Sequence, residues 1–233
     1  MVPIGDFNPS SRTPYVVYLL LATNILVFLY EIIHPDLNQF FNQWAVIPAK
    51  VTPALSALFS GQIQAWPYLV PLFTAMFLHG GFLHLGGNML FLWIFGDNVE
   101  DRLGHVGFLF FYLTCGIAAT LVQIWGNPSS QIPNLGASGA IAGVLGAYIV
   151  CFPSAKIQAI FPLGLIPIPF SVPAIAFIGF WFVQQAFYSF ASLGPRTQTG
   201  MESGGIAYLA HAGGFIIGAL LMWLFDRRPQ YRY

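Results

Sequence analysis

Apolar residues run through this chain in long blocks rather than in the alternating or striped patterns of a soluble fold. About 20 apolar residues let a helix cross a bilayer. Blocks of that kind fall at 15–33, 106–125, 172–190 and 206–225, with a shorter one at 137–152. The block at 69–95 is too long for one upright span and is interrupted at His79-Gly80-Gly81. It reads as an approach segment, 69–78, suited to an interfacial or re-entrant position, followed by a span that starts near Gly81. The pattern predicts an all-α membrane protein with six transmembrane helices in a compact bundle. A single domain covers 1–233, with short tails at 1–14 and 226–233.

The first outer loop is long, 34–68, and carries its own punctuation. Thr52-Pro53, then ALSALFS and Gly61, predicts a short helix with an N-cap, a proline at the first position and a glycine stop. Phe40, Phe41, Trp44 and Trp66 place this loop in the outer leaflet. The proline-rich stretch 161–173 predicts a tight connection on the inner side. With the N-terminus inside, Arg12, Arg102, Lys156, Arg227, Arg228 and Arg232 are cytoplasmic, against Lys50 and Arg196 outside. This excess places both termini in the cytoplasm.

Composition agrees with the pattern. The chain is 57% hydrophobic and 7% charged, where soluble domains carry about 25% charge; mean hydropathy is +0.71. Net charge is zero and no basic run offers a nucleic-acid surface. Residues 1–14 lack the apolar core of a cleavable signal peptide. Cys115 and Cys151 lie in apolar blocks and read as small buried hydrophobes. Nothing in the pattern calls for a metal or cofactor: there is no HExxH or paired-Asp motif.

Polar groups inside a bilayer are costly and usually functional. His84 and Asn88, one helical turn apart, share a face near the top of span two. Ser138 sits at the top of span four and His211 near the top of span six. Spans two, four and six run in the same direction, so all four residues lie at one depth, below the outer surface. Gly139 and Gly143, after Gly136, form a small-residue pair in span four; Gly214 and Gly218 repeat it one turn below His211. Small residues let helix backbones approach closely. Packing these two faces together would bring Ser138 Oγ within hydrogen-bond reach of the His211 ring, as a general base requires. Backbone N–H groups at the head of span four, with His84 and Asn88, could bind a developing oxyanion. No acid lies near enough in the spans to complete a triad, so packing alone is expected to orient His211.

Three segments carry a resemblance: HGGFLHLGGNMLFLWIFGDNVEDRLG (79–104), GASGAIAGVLGAY (136–148) and AHAGGFIIG (210–218). The chain resembles the rhomboid family of intramembrane serine proteases. By that resemblance Ser138 would be the nucleophile and His211 the base. His84, Asn88 and the Ser138 backbone N–H would form the oxyanion hole. Glu100 and Arg102 would brace the inner end of helix two. The fifth helix and the loop after it would gate the substrate. The implied partners are the lipid bilayer and transmembrane protein substrates, with small residues and helix breakers near their outer ends. Short tails suggest a minimal bacterial or archaeal form in the plasma membrane. The sequence specifies no oligomeric state. Two departures stand out: Trp44 is followed by Ala45 where many members have a Trp-Arg pair, and Ala142 stands where some members stack a tyrosine on the histidine.

Each residue also has a plainer reading. A serine among glycines ordinarily packs, and His84 and Asn88 could simply link helices. His79, at the Gly80-Gly81 break, could line a cavity or fix the loop, and a structural role is the favoured reading. Gln184 and Gln185 in span five could touch substrate or satisfy each other. Two other functions compete: a non-proteolytic binder of membrane clients, and a small transporter or channel. A transporter needs polar residues along a whole path, whereas these cluster in the outer half.

Overall fold

The computed structural model describes residues 1–163, 166–192 and 208–225. Strand β1 (Val2–Asp6) precedes the long helix α1 (Tyr15–Ile33). The next segment holds α2 (Leu37–Trp44), α3 (Pro48–Phe59), a 3-10 turn (Ile63–Leu69), the single turn α4 (Pro71–Thr74) and a second 3-10 turn (Ala75–Phe77). Helices α5 (Phe82–Leu103), α6 (His105–Gly126) and α7 (Ser138–Cys151) follow. The hairpin β2 (Lys156–Leu163) and β3 (Ile166–Pro173) then leads to α8 (Ala174–Ser192) and α9 (Tyr208–Phe225).

Helices α1, α6 and α9 are long and apolar enough to cross a membrane. The segment 63–77 and α5, bent by 77° at the break between them, together make a fourth candidate. The described residues therefore hold three to four candidate spans by length, where six were expected. Helix α7 falls short because its 14 residues rise only about 21 Å against a hydrocarbon core of roughly 30 Å. It is also the buried centre of the fold, with every residue from Gly139 to Tyr148 inside. The expected tail 226–233 lies outside the described residues.

Backbones meet closely around α7. A Cβ on Gly214 would strike the carbonyl of Gly139, and one on Gly218 the carbonyl of Gly143. On another side of α7, a Cβ on Gly139 would come 2.8 Å from Ala119 Cβ, and one on Gly143 2.6 Å from Cys115 Cβ, both on α6. The glycine pair of α7 thus lets α6 approach and lays two carbonyls against the glycines of α9. Gly136 works differently from the helix-packing role expected of it. It precedes α7 with φ +124°, where an L side chain is strained, and a Cβ there would lie 2.8 Å from the His84 ring.

The fold is not all-α. The connection 156–173 is a β-hairpin, and β1 pairs with its first strand to give an antiparallel sheet of order β1-β2-β3. Pro167, Pro169 and Pro173 bar a helix there, while Ile157 and Ala159, alternating along β2, find a buried face on the bundle. Residues 1–14, expected as a tail, are fastened along the same end. Ser11 donates its N–H and hydroxyl to Asp101, Asn98 donates to the carbonyl of Asn8, and Tyr148 donates to Asp6 at 2.5 Å. Burial pushes the Asp6 carboxyl up to about 6, opposed by the Tyr148 hydrogen bond. Glu100 accepts from the N–H groups of Val16 and Val17 at 2.9 and 2.8 Å, capping α1 with a carboxylate as helix N-termini favour.

The outer-loop helix begins earlier than expected. Helix α3 starts at Pro48, and Pro53 lies inside it. Pro48 already supplies a first-position proline, and Thr52 is no cap because its hydroxyl donates to the carbonyl of Pro128 at 3.1 Å. The loop is pinned further by paired backbone bonds between Val46 and Asn134 and by Ala49 N–H to Ser130 O. Its Trp44 carbonyl accepts from Thr74 Oγ1 at 2.7 Å, a backbone link at the place of the missing Trp-Arg pair.

Candidate active site

Helices α5, α7, α8 and α9 surround a cavity of about 960 Å³. His84, Asn88, Ser138 and His211 all line it, so the tertiary structure brings together the four polar residues that the sequence placed at one depth. Ser138 heads α7, one position earlier in its helix than expected. Its N–H is among the four that a helix leaves without an intrahelical acceptor.

Ser138 Oγ and His211 Nε2 are 2.7 Å apart. His211 Nδ1 lies 2.8 Å from Gln185 Oε1 on α8. An amide oxygen can only accept, so Nδ1 carries the ring proton and donates it to Gln185. That leaves the lone pair of Nε2 facing the serine, and the hydroxyl donates to it. This is the tautomer a base needs. The expectation that packing alone orients His211 is therefore corrected: Gln185, itself buried, holds the ring through a hydrogen bond. Trp181, one turn earlier on α8, sets its ring 5.9 Å from that of His211 at 32°. It supplies the aromatic neighbour that Ala142 lacks. Gln184 also lines the cavity but is exposed. The sequence signal for Gln185 was a glutamine in an apolar span, four residues after a tryptophan. Nothing local distinguished it from Gln184.

Asn88 is held in the same manner. His79, almost fully buried, lies with Nε2 3.0 Å from Asn88 Nδ2. The amide donates one hydrogen there and keeps the other for the cavity. His79 is fixed in turn by its own N–H, which donates to the Glu31 carboxylate at 3.0 Å. His84 packs edge-on against His79, with centroids 5.1 Å apart, and its ring lies against Gly136. Gly136 N–H donates to the carbonyl of Ala75 at 2.8 Å, tying the approach to α7 to the broken helix before α5. At the head of α9, Ala210 N–H donates to Gln123 of α6. Among the described residues no group of His, Cys, Asp or Glu could hold a metal ion.

The arrangement has the parts of a nucleophilic site: a hydroxyl bonded to an imidazole, an acceptor fixing that imidazole, and N–H donors around a cavity. The loop after α8, expected to take part in gating, lies outside the described residues.

Residues 64–228 match the family model for the Rhomboid domain. Among curated proteins, the chain is 31% identical over 221 residues to Rhomboid protein 1, mitochondrial, of Saccharomyces cerevisiae, covering 92% of this chain and 54% of that protein. It is 30% identical over 169 residues to Rhomboid-like protein 11, chloroplastic, of Arabidopsis thaliana, covering 71% and 55%. With the Rhomboid protease GluP of Bacillus subtilis it shares 35% over 137 residues, 58% of this chain and 24% of that one. The chain spans about half the length of the first two. The domain match takes in both glycine-paired helices and all of the cavity, and this multi-pass integral membrane protein belongs to the rhomboid family.

Proposed function

We propose that this protein is an intramembrane serine endopeptidase that cuts transmembrane segments with a Ser138–His211 dyad. The observation that carries the proposal is the 2.7 Å contact between Ser138 Oγ and His211 Nε2 inside a cavity. In this reading α1, α5, α6, α7, α8 and α9 are six spans, both termini are cytoplasmic, and 1–233 acts as one rhomboid-like unit. The cavity opens on the outer side. A substrate helix enters beside α5 and α8, where Phe82 and Leu83 are 73% and 95% exposed. Its top unwinds, because a formed helix keeps its carbonyls in hydrogen bonds.

Ser138 Oγ attacks the scissile carbonyl carbon as its proton passes to His211 Nε2. Charge moves to the carbonyl oxygen, met by the Ser138 N–H, the free Asn88 amide hydrogen and His84. Collapse of the intermediate breaks the C–N bond, and Nε2 returns the proton to the leaving amine. Water, activated by His211, then releases the acyl group. Gln185 keeps Nδ1 protonated throughout and stabilises the imidazolium. The relatives named above carry mitochondrial and chloroplastic as well as bacterial names, and so give the expected bacterial or archaeal plasma membrane no support.

The direct test is reconstitution of the protein in liposomes with a single-pass substrate bearing small residues and a helix breaker near its outer end. Two new fragments, with the new terminus inside the outer third of the segment, are expected. Co-purification of intact substrate without cleavage would support the non-proteolytic reading instead.

Two sets of variants resolve the roles. His84→Ala and Asn88→Ala should each lower kcat by about 100- to 1,000-fold, the usual loss of one oxyanion donor, with KM nearly unchanged. An effect confined to KM would show that these residues bind substrate without serving the oxyanion. Gln185→Ala should lower kcat by on the order of 10-fold or more, while Gln185→Glu, which keeps the acceptor, should recover much of it. If Gln185→Leu were fully active, orientation of His211 by this bond would be excluded.

A further inference from the structure

The outer half of the β2–β3 hairpin exposes an apolar face among the described residues. Alternate strand positions share a face, and so do directly paired residues. Ile157 pairs with Val172, Ala159 with Phe170, Phe161 with Ile168 and Leu163 with Ile166. At the base of this face, Ile157 and Ala159 are fully buried in the main core. At the tip, Phe161, Leu163, Ile166 and Ile168 are 48%, 58%, 64% and 42% exposed. The face that seats the hairpin on the bundle therefore continues outward as an exposed apolar surface among the described residues. Pro162 and Pro167, on the other side of the tip, are exposed as well. The polar residues Lys156, Gln158 and Ser171 all sit at the base, and no charged residue occurs from 157 through 195.

We propose that the tip of this hairpin inserts into the bilayer, at the boundary between headgroups and acyl chains. The leaflet is the one in which α7 ends and α8 begins, so the hairpin anchors the protein beside its spans. The occupant of this surface is lipid for three reasons. The base of the hairpin runs directly into the apolar helix α8, whose exposed residues Ile175, Val183 and Phe187 begin two residues after β3, so the tip projects from the end of the bundle at which this apolar helix starts. Pro167, Pro169 and Pro173 remove N–H donors from β3, whose free edge would otherwise pair with an added strand of a partner chain. The tip also carries no charge or side-chain polar group with which to recognise a protein surface. Depth follows from the backbone: the carbonyls on the free edge of β3 still need water or headgroups, which holds the hairpin at the interface rather than in the hydrocarbon. This end of α7 is opposite Ser138, so the inference stands apart from the catalytic reading.

Spin labels test it. Leu163→Cys, Ile166→Cys and Ser171→Cys are labelled in the full chain, with the buried Cys115 and Cys151 left in place and the unsubstituted protein as the background control. The proteins are reconstituted in phosphatidylcholine–phosphatidylglycerol vesicles, and collision with oxygen is compared with collision with a water-soluble nickel chelate. Labels at 163 and 166 should favour oxygen over nickel several-fold more than the label at 171. Equal nickel access at all three sites would overturn the proposal by placing the tip in water. Low access to both agents at 163 and 166, with dipolar broadening between labels, would overturn it in favour of a second copy covering the face.

Discussion

Ser138→Ala and His211→Ala are each expected to abolish labelling by a fluorescent fluorophosphonate and to lower cleavage of a transmembrane substrate by at least about a thousandfold. The reason is the low nucleophilicity of an ordinary serine hydroxyl. It reacts only when a base takes its proton, and in the proposed mechanism that base is His211, whose Nε2 lies 2.7 Å away. Residues that act as a unit lose function together, so the double variant should be scarcely worse than either single one. Labelling of the wild type that survives in His211→Ala would mean that the serine is activated by another group. Absence of labelling in a folded wild type, in lipid as in detergent, would move the interpretation to a client-binding protein.

The second large effect is on the fold. Gly218→Val should disrupt the contact between α7 and α9, because its Cβ would meet backbone atoms of Gly143. A side chain in the way can change rotamer; a carbonyl in a central helix cannot. Overpacking a core costs typically about 1–3 kcal/mol even where side chains can give. Here both partners are backbone, so a fall in Tm of about 5–10 °C in mild detergent is expected, with loss of fluorophosphonate labelling. The coupling is geometric: His211 rides on α9, and a shift of one ångström breaks a bond of 2.7 Å. Gly179→Val on α8, where a Cβ meets nothing within 4 Å, is the control and should leave Tm and labelling intact. A Gly218→Val protein with unaltered Tm and labelling would show that the close approach is dispensable.

The sequence by itself determined the membrane class and the placing of most helices, because both depend on local quantities. Apolar length sets whether a segment can span, so the first helix was legible to the residue at 15–33 and the break at His79-Gly80-Gly81 stood out. Helical period and depth set which residues share a level, so Ser138, His211, His84 and Asn88 could be grouped before any contact was known. Glycine spacing announced the close approach of α7 and α9. What only the tertiary structure decided are contacts between distant positions whose partners have no local mark. Gln185 reaches His211 from 26 residues away, Glu31 meets the His79 backbone across 48, and Asp6 meets Tyr148 across 142. Each depends on how one helix is rotated against another, which a run of apolar residues leaves open. The sheet was hidden for a related reason: prolines in 161–173 exclude a helix, but a strand needs a partner, and β1 lies more than 150 residues earlier in the chain. Chain-local physics thus specified the chemistry available at one depth, and helix rotation and long-range pairing selected which groups touch.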